Sequence, residues 1–313
     1  MTRYSLVLFL ITSTVTVFGQ EDLNKLLDEM ESNEKKKEYI TSAFKATRVI
    51  NLQSLEMKAP GALEFRIAHR FGPLNGGAYE MFGLDQATMR LSLDYGITRF
   101  LMAGFGRSTH EKTFDFYLKA TIIRQQTGAK NIPFSFLYYF NTAINGLRWP
   151  DPSRENYFSS RLSYVHQFII GSKISPRFSF QLSPTLIHKN LVPAIRDQNG
   201  DGFFGLNNFY ALGAAGRIRI TKGTALTAEY IFRVPPHDTR APTYSLFYNS
   251  LSIGCDIETG GHVFQLHVSN SLPMFERGFI TETGKSWSDG GIHFGFNLTR
   301  DFNLKRTTKS KKI

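Results

Sequence analysis

The chain has 313 residues, 37 Lys plus Arg against 26 Asp plus Glu, a formal net charge of +11, 14% aromatic residues and one cysteine. Such an abundance of Phe and Tyr excludes intrinsic disorder, the single cysteine excludes an internal disulfide framework, and outside the N-terminus no run of 18 apolar residues exists to form a helical membrane span. Twenty-eight Phe and 13 Tyr beside a mean hydropathy of only −0.22 point to apolar and polar residues that alternate rather than segregate.

Residues 1–19 read as a signal peptide, with Arg3 as the positive region, an apolar stretch from Leu6 to Val17 and cleavage after Gly19. Export argues against nucleic acid as the partner of this basic chain. Residues 20–57 are expected to form a periplasmic or lumenal segment. It opens with a short helical lead-in, because Leu23, Leu26, Leu27 and Met30 recur at helical spacing. The tail 305–313 carries Lys305, Arg306, Lys309, Lys311 and Lys312, a charge suited to an anionic membrane surface.

Between these ends, residues 58–304 alternate with a period of two. Met89, Leu91, Leu93 and Tyr95 oppose Arg90, Ser92 and Asp94, and Phe114, Phe116 and Leu118 oppose Asp115, Tyr117 and Lys119. Phe178, Phe180 and Leu182 oppose Ser179, Gln181 and Ser183. Many runs reach about ten residues, whereas strands of soluble sheets average about five or six. Ten is the length a tilted strand needs to cross a bilayer. In a soluble sandwich the aromatic face needs a second sheet to cover it; in a barrel, lipid covers that face and the charges line the lumen.

The connections support the barrel. Those at 96–98, 171–176, 220–223 and 258–261 are tight, whereas 72–87, 144–156, 189–206, 234–243 and 270–290 are long. Short turns at one end and long loops at the other characterise outer-membrane barrels. The expected fold is all-β: a transmembrane, antiparallel, up-and-down β-barrel of twelve strands, or fourteen if 270–290 hides another. A further strand candidate, Lys45 to Leu55, breaks the even count and is assigned to the N-terminal segment.

The segments GLDQATMRLSLDYGITRF (83–100), GRSTHEKTFDFYLK (106–119), ETGGHVFQLHVSNS (258–271) and ERGFITETGKSWSDGGIHFGFNLTRDF (276–302) resemble a β-barrel family of unknown function found in Bacteroidota outer membranes. The resemblance covers nearly the whole mature chain. It implies an outer-membrane location and carries no catalytic residue. The chain departs from the usual pattern by running eleven residues past Phe302, the aromatic that ends the last strand.

The residues expected to line the lumen are Arg66, Arg70, Arg90, Lys119, Arg161, Arg217, Arg219 and Arg233, with Glu64, Asp94, Asp115, Glu229 and Asp256. A basic ring favours anions, which predicts a narrow channel or uptake barrel for small anionic solutes. Alternatively the charges pair across the interior, and a closed barrel serves as scaffold or anchor for a periplasmic or surface partner. No enzyme is expected: His267 and Ser269, two apart on one strand, fall on the lumen face, and His166 and His293 stand alone. No cofactor is expected either, except calcium. Asp197, Asn199 and Asp201, followed by Gly202, match the opening of a calcium loop. The twelfth position is Asn208 rather than Glu, so the motif is at most a weak oxygen-rich hook, and an ordinary polar turn is the simpler explanation. The expected partners are outer-membrane lipid and small anionic solutes.

Overall fold

The computed structural model describes Lys25 and residues 37–192, 205–236 and 246–304. The expected signal peptide, most of the helical lead-in, the calcium hook at Asp197, Asn199 and Asp201, and the basic tail lie outside the described residues. Within the lead-in, Glu38–Tyr39 is extended rather than helical and pairs with Gln126–Thr127.

Twelve antiparallel strands close into one barrel. They are β1 (Ala62–Pro73), β2 (Ala87–Gly96), β3 (Leu101–Ser108), β4 (Phe114–Ile123), β5 (Ser135–Ile144) and β6 (Leu162–Lys173), then β7 (Phe178–Lys189), β8 (Asn208–Arg219), β9 (Thr224–Arg233), β10 (Ser250–Thr259), β11 (His262–Ser269) and β12 (His293–Asn303). Each pairs with its chain neighbour, and β12 closes on β1 with Asn297 opposite Ala68 and Leu298 opposite Ile67. Closure leaves no free edge, which is the condition for a sheet to sit in lipid with every backbone group bonded.

The period-two pattern sets which face each residue takes. On β2, Arg90, Ser92 and Asp94 are buried while Leu91, Leu93 and Tyr95 are exposed. The same holds for β4, where Phe114, Phe116 and Leu118 face out against buried Asp115, Tyr117 and Lys119. The outer face is thus a continuous apolar band that water cannot accommodate. Aromatic rings stack across it, as in Phe71 with Phe294 and Phe136 with Phe168.

The strand count is twelve, not fourteen: the 270–292 connection carries a short helix, α1 (Glu276–Thr281), instead of a strand. All its residues but Arg277 are buried, so the connection folds inward and finds its partners inside the barrel. Two connections break the expected alternation. The tight 109–113 turn lies at the long-loop end, and the long 124–134 connection at the short-turn end.

This topology predicts sidedness. In a Cys255→Ser background, a cysteine at Ser153, in the long 145–161 loop, should react with an impermeant maleimide on intact cells. A cysteine at Lys222, in the β8–β9 turn, should react only after the membrane is opened. Labelling of Lys222→Cys alone would invert the orientation.

Candidate functional site

The lumen is occupied by the chain itself. Residues 43–54 lie almost wholly buried inside the barrel. They form a small hairpin: Val49 N–H donates to Leu52 O at 2.8 Å, Ser54 N–H donates to Thr47 O at 2.9 Å, and Arg48 faces Gln53 in an antiparallel bridge. Lys45 to Leu55 therefore looks like a strand because half of a hairpin is extended, but its partner is its own continuation.

At the hairpin tip, the carboxylate of Glu229 on β9 accepts three consecutive backbone N–H groups. Ile50, Asn51 and Leu52 donate at 3.2, 2.9 and 3.0 Å. Successive amides that converge in this way form an anion-binding concavity, and here a wall carboxylate fills it. Other polar groups of the hairpin are met around the wall. Gln265 on β11 donates to Val49 O at 2.6 Å, Asn297 on β12 to Ile50 O at 3.2 Å, and Gln181 on β7 to Gln53 O at 2.7 Å. Lys119 on β4 donates to Glu56 O at 2.8 Å, and Arg217 on β8 to Ala43 O at 3.3 Å. The Thr47 hydroxyl sits between the carboxylates of Glu64 (β1) and Asp94 (β2), at 2.8 and 2.6 Å. Arg70 on β1 donates to the Asn51 side chain at 3.0 Å, and Asn51 donates to Ser252 on β10 at 3.1 Å.

Apolar contacts fill the space between these bonds. Phe44, Val49 and Leu52 pack with Val165, Ile187, Ala211, Ala215 and Ile231 of the wall and with Phe279 and Ile280 of α1. Burying each large side chain contributes about 1.5–3 kcal/mol. The wall makes room with glycine: a Cβ on Gly213 would lie 3.0 Å from Leu52, and one on Gly254 3.1 Å from Ile50. Gly104 and Gly106 on β3 serve the wall itself. Over them pass two cross-strand pairs, Tyr117 with Asp94 and Arg90 with Asp115.

From the long-loop end α1 meets the hairpin. Arg48 and Glu276, both fully buried, form an ion pair at 2.7 Å. Gln53 donates to the same carboxylate oxygen at 3.2 Å. Burial pushes the Glu276 carboxyl up, but the charges of Arg48 and Arg90 and its hydrogen bonds outweigh burial and hold it below the ordinary glutamate range.

The lumen residues named from the sequence are placed as follows. Arg66, Arg70, Arg90, Lys119, Arg217, Arg233, Glu64, Asp94, Asp115, Glu229 and Asp256 are all buried on the inner face. Arg219 is half-buried near the short-turn end of β8. Arg161 is a correction: it ends a 3-10 turn just before β6, donates to Asn145 O at 2.8 Å and stacks over Trp149 at the rim. His267 and Ser269 are inward, His267 beside Arg70 at 2.8 Å and Ser269 beside Ser252 at 2.9 Å. A grouping of His110, Glu111 and Glu282 has cation-binding geometry, but Arg277 already bridges the two carboxylates. The sequence did not single out Arg48, Asn51, Glu276 or Asn297, and it put Gln181 and Gln265 on the polar face without a role. The available signal was the strand candidate at 45–55, whose apolar and polar residues had no place in an even-numbered wall.

Two results are expected of the buried pair. Arg48→Ala strands Glu276 without its cation and should cost about 3–5 kcal/mol in urea unfolding, whereas the double variant Arg48→Met, Glu276→Leu should recover most of that loss. Glu276 is depressed on folding, so its contribution is complete above the ordinary glutamate pKa and is lost as pH falls through the lower folded value. Stability should therefore drop below about pH 4, and the double variant should flatten that drop.

The solved structures similar in fold include the NanC porin, at 9% identity over 78% of this chain and 100% of that one, TM-score 0.46. An outer-membrane channel from Pseudomonas putida F1 has 11% identity over 79% and 97%, TM-score 0.47. The outer membrane phospholipase A of Escherichia coli has 13% identity over 83% and 100%, TM-score 0.40. No curated protein matches the chain in sequence. The family model for the membrane-bound beta barrel domain (DUF5777) matches residues 44–302, which takes in the hairpin together with all twelve strands. The chain belongs to this family and is an outer-membrane β-barrel.

Proposed function

We infer that this barrel is a gated channel for small anionic solutes, closed at rest by its own N-terminal hairpin. The observation that carries the reading is that the plug is separable and held by polar contacts. It precedes β1 in the chain, and nine of the twelve strands hold it through hydrogen bonds. A barrel that never opened would gain nothing from a charged wall, because apolar packing fills a permanent core at least as well. With the hairpin out, the wall retains seven buried basic residues (Arg66, Arg70, Arg90, Lys119, Lys189, Arg217, Arg233) against five acidic ones (Glu64, Asp94, Asp115, Glu229, Asp256). The surplus of two positive charges favours anions modestly.

The lumen polar groups that resemble catalytic residues contact the holders of the plug, His267 beside Arg70 and Ser269 beside Ser252, both of which bond to Asn51, and this favours transport over catalysis. The second reading, a closed scaffold, draws on the burial of the hairpin and the Arg48–Glu276 pair.

Planar-bilayer recording separates the two. Intact protein should be mostly silent. Glu229→Ala removes an acceptor whose charged hydrogen bonds are worth about 1.5–3 kcal/mol each, and Gly213→Leu removes the space that Leu52 fills. Both should raise the open fraction by about tenfold or more, with discrete steps and reversal potentials displaced towards anions. Deletion of residues 41–57 should give the largest conductance. Silence in all three variants, with the folded band retained on unboiled gels, would leave the scaffold.

A further inference from the structure

A pocket of about 210 Å³ opens at the long-loop rim, between the 145–161 connection, the ends of β6 and β7, and α1. Its lining contains four cations, Arg148, Arg161, Lys189 and Arg277, and no carboxylate. Two of these charges are already balanced from behind. Lys189 pairs with Glu282 at 2.7 Å, and Arg277 lies between Glu282 and Glu111. Among the described residues Arg148 and Arg161 have no acidic partner. The two differ in their contacts. Arg161 is fixed, with its guanidinium 3.9 Å from the Trp149 ring centroid and one nitrogen on Asn145 O. Arg148 is exposed and lines the same pocket.

The rest of the lining is largely apolar, with Leu147, Leu191 and Trp149 prominent. Its volume falls below the range of about 300–1,000 Å³ typical of drug-sized sites, so the pocket suits a metabolite-sized molecule. The geometry points to a binding site for a small carboxylate with an apolar body, held by the guanidinium groups of Arg148 and Arg161 and seated against Leu147, Leu191 and Trp149. A planar guanidinium already positioned by stacking and by a backbone carbonyl offers its remaining N–H groups in the fork that a carboxylate matches. The apolar walls select against a bare, strongly hydrated anion, which would lose its water without compensation. Ser163, Lys189 and Arg277 form the inner side of the pocket, Arg277 being contributed by α1, so the site stands as an outer vestibule to the closed lumen.

This inference rests on the reading of the barrel as a route for small anions and names their class. Its test is binding, which needs no open pore. With Trp287→Phe in the full chain in detergent, Trp149 becomes the sole tryptophan. Benzoate, benzamide and inorganic phosphate serve as probes. Benzoate should change the Trp149 emission saturably, while benzamide and phosphate should bind at least about tenfold more weakly. Arg148→Glu and Leu191→Asp alter exposed side chains, so the barrel should stay folded, as the unboiled gel band checks. Each should weaken benzoate by about tenfold or more. Equal binding of benzamide would reduce the site to an apolar dimple. Equal binding of phosphate would make it a general anion patch. No saturation by benzoate, or no effect of Arg148→Glu, would overturn the site altogether. None of these outcomes touches the conductance of the Glu229→Ala barrel, and silence of that barrel leaves binding at the rim unaffected.

Discussion

A twelve-strand wall encloses more space than its own side chains can fill, yet most of what it turns inward here is polar. Some of these groups pair with one another, as Arg90 does with Asp115 and Tyr117 with Asp94; lipid outside and a low-dielectric interior leave the rest only two sources of partners: water, or a further stretch of the chain. The hairpin 47–54 supplies the second, and the carboxylate of Glu229 fixes where it sits. Three backbone N–H groups converge on one side chain, which locks the turn of the hairpin to a single height on β9. From that point the register of every other contact follows. Gln265 and Asn297 reach the consecutive carbonyls of Val49 and Ile50 where the chain enters the tip, Gln181 takes the returning arm, and Lys119 collects carbonyls lower down. The glycines at 213 and 254 stand opposite the two large side chains nearest the tip because those side chains need the volume.

The balance of forces in this interior is that of an interface rather than of a permanent core. Hydrogen bonds exchanged for bonds to water contribute about 0.5–1.5 kcal/mol each, somewhat more when one partner is charged. Ionic pairs in burial return little more than their desolvation cost. A plug held in this way can be tight without being irreversible. A closed population of 99% requires a preference of only about 2.7 kcal/mol. The apolar contacts of Phe44, Val49 and Leu52 supply more than that before any polar contact is counted, and wetting of the charged wall on withdrawal offsets part of it.

Much of the barrel was legible in the sequence because two solvents impose a strict alternation on ten-residue strands. Leu91 and Leu93 face lipid and Arg90 and Asp94 face inward for the same reason, and nothing distant is needed to infer it. What the pattern could not supply is which inward groups meet. Glu229 and Ile50 are 179 positions apart, and no local rule joins them. Arg161 has inward parity by counting back from Ser163, but the chain makes a 3-10 turn just before β6, so the side chain swings to Trp149 instead. Leu137, Tyr139, Val165 and Ile169 carry the same lesson in reverse. They are apolar residues on the inner face, hidden from a rule that assigns the lumen to polar groups, and they are inward because Phe44, Leu55 and Met57 come to cover them. Residues 276–281 sat in a loop by every local criterion, and became a buried helix because the hairpin offers them Phe44, Leu52 and Arg48.

The lumen is thus closed from two ends by two covers that are not independent. The hairpin enters beside the short turns, where Lys173 binds Thr41 O, and α1 descends from the long loops. Arg48 and Glu276 join them through a fully buried charge pair. Withdrawing the hairpin alone would leave Glu276 ionised and unpaired in a dry site, a state costing several kcal/mol. Electrostatics leaves two ways around that cost: α1 moves with the hairpin so that Glu276 reaches water, or the carboxyl takes up a proton. The first joins the inner cover to the rim, because α1 also carries Arg277, whose partners Glu111 and Glu282 belong to the outer connections. The contacts thus run without a break from Glu229 to the hairpin tip, from Arg48 to Glu276, and from Arg277 to the rim.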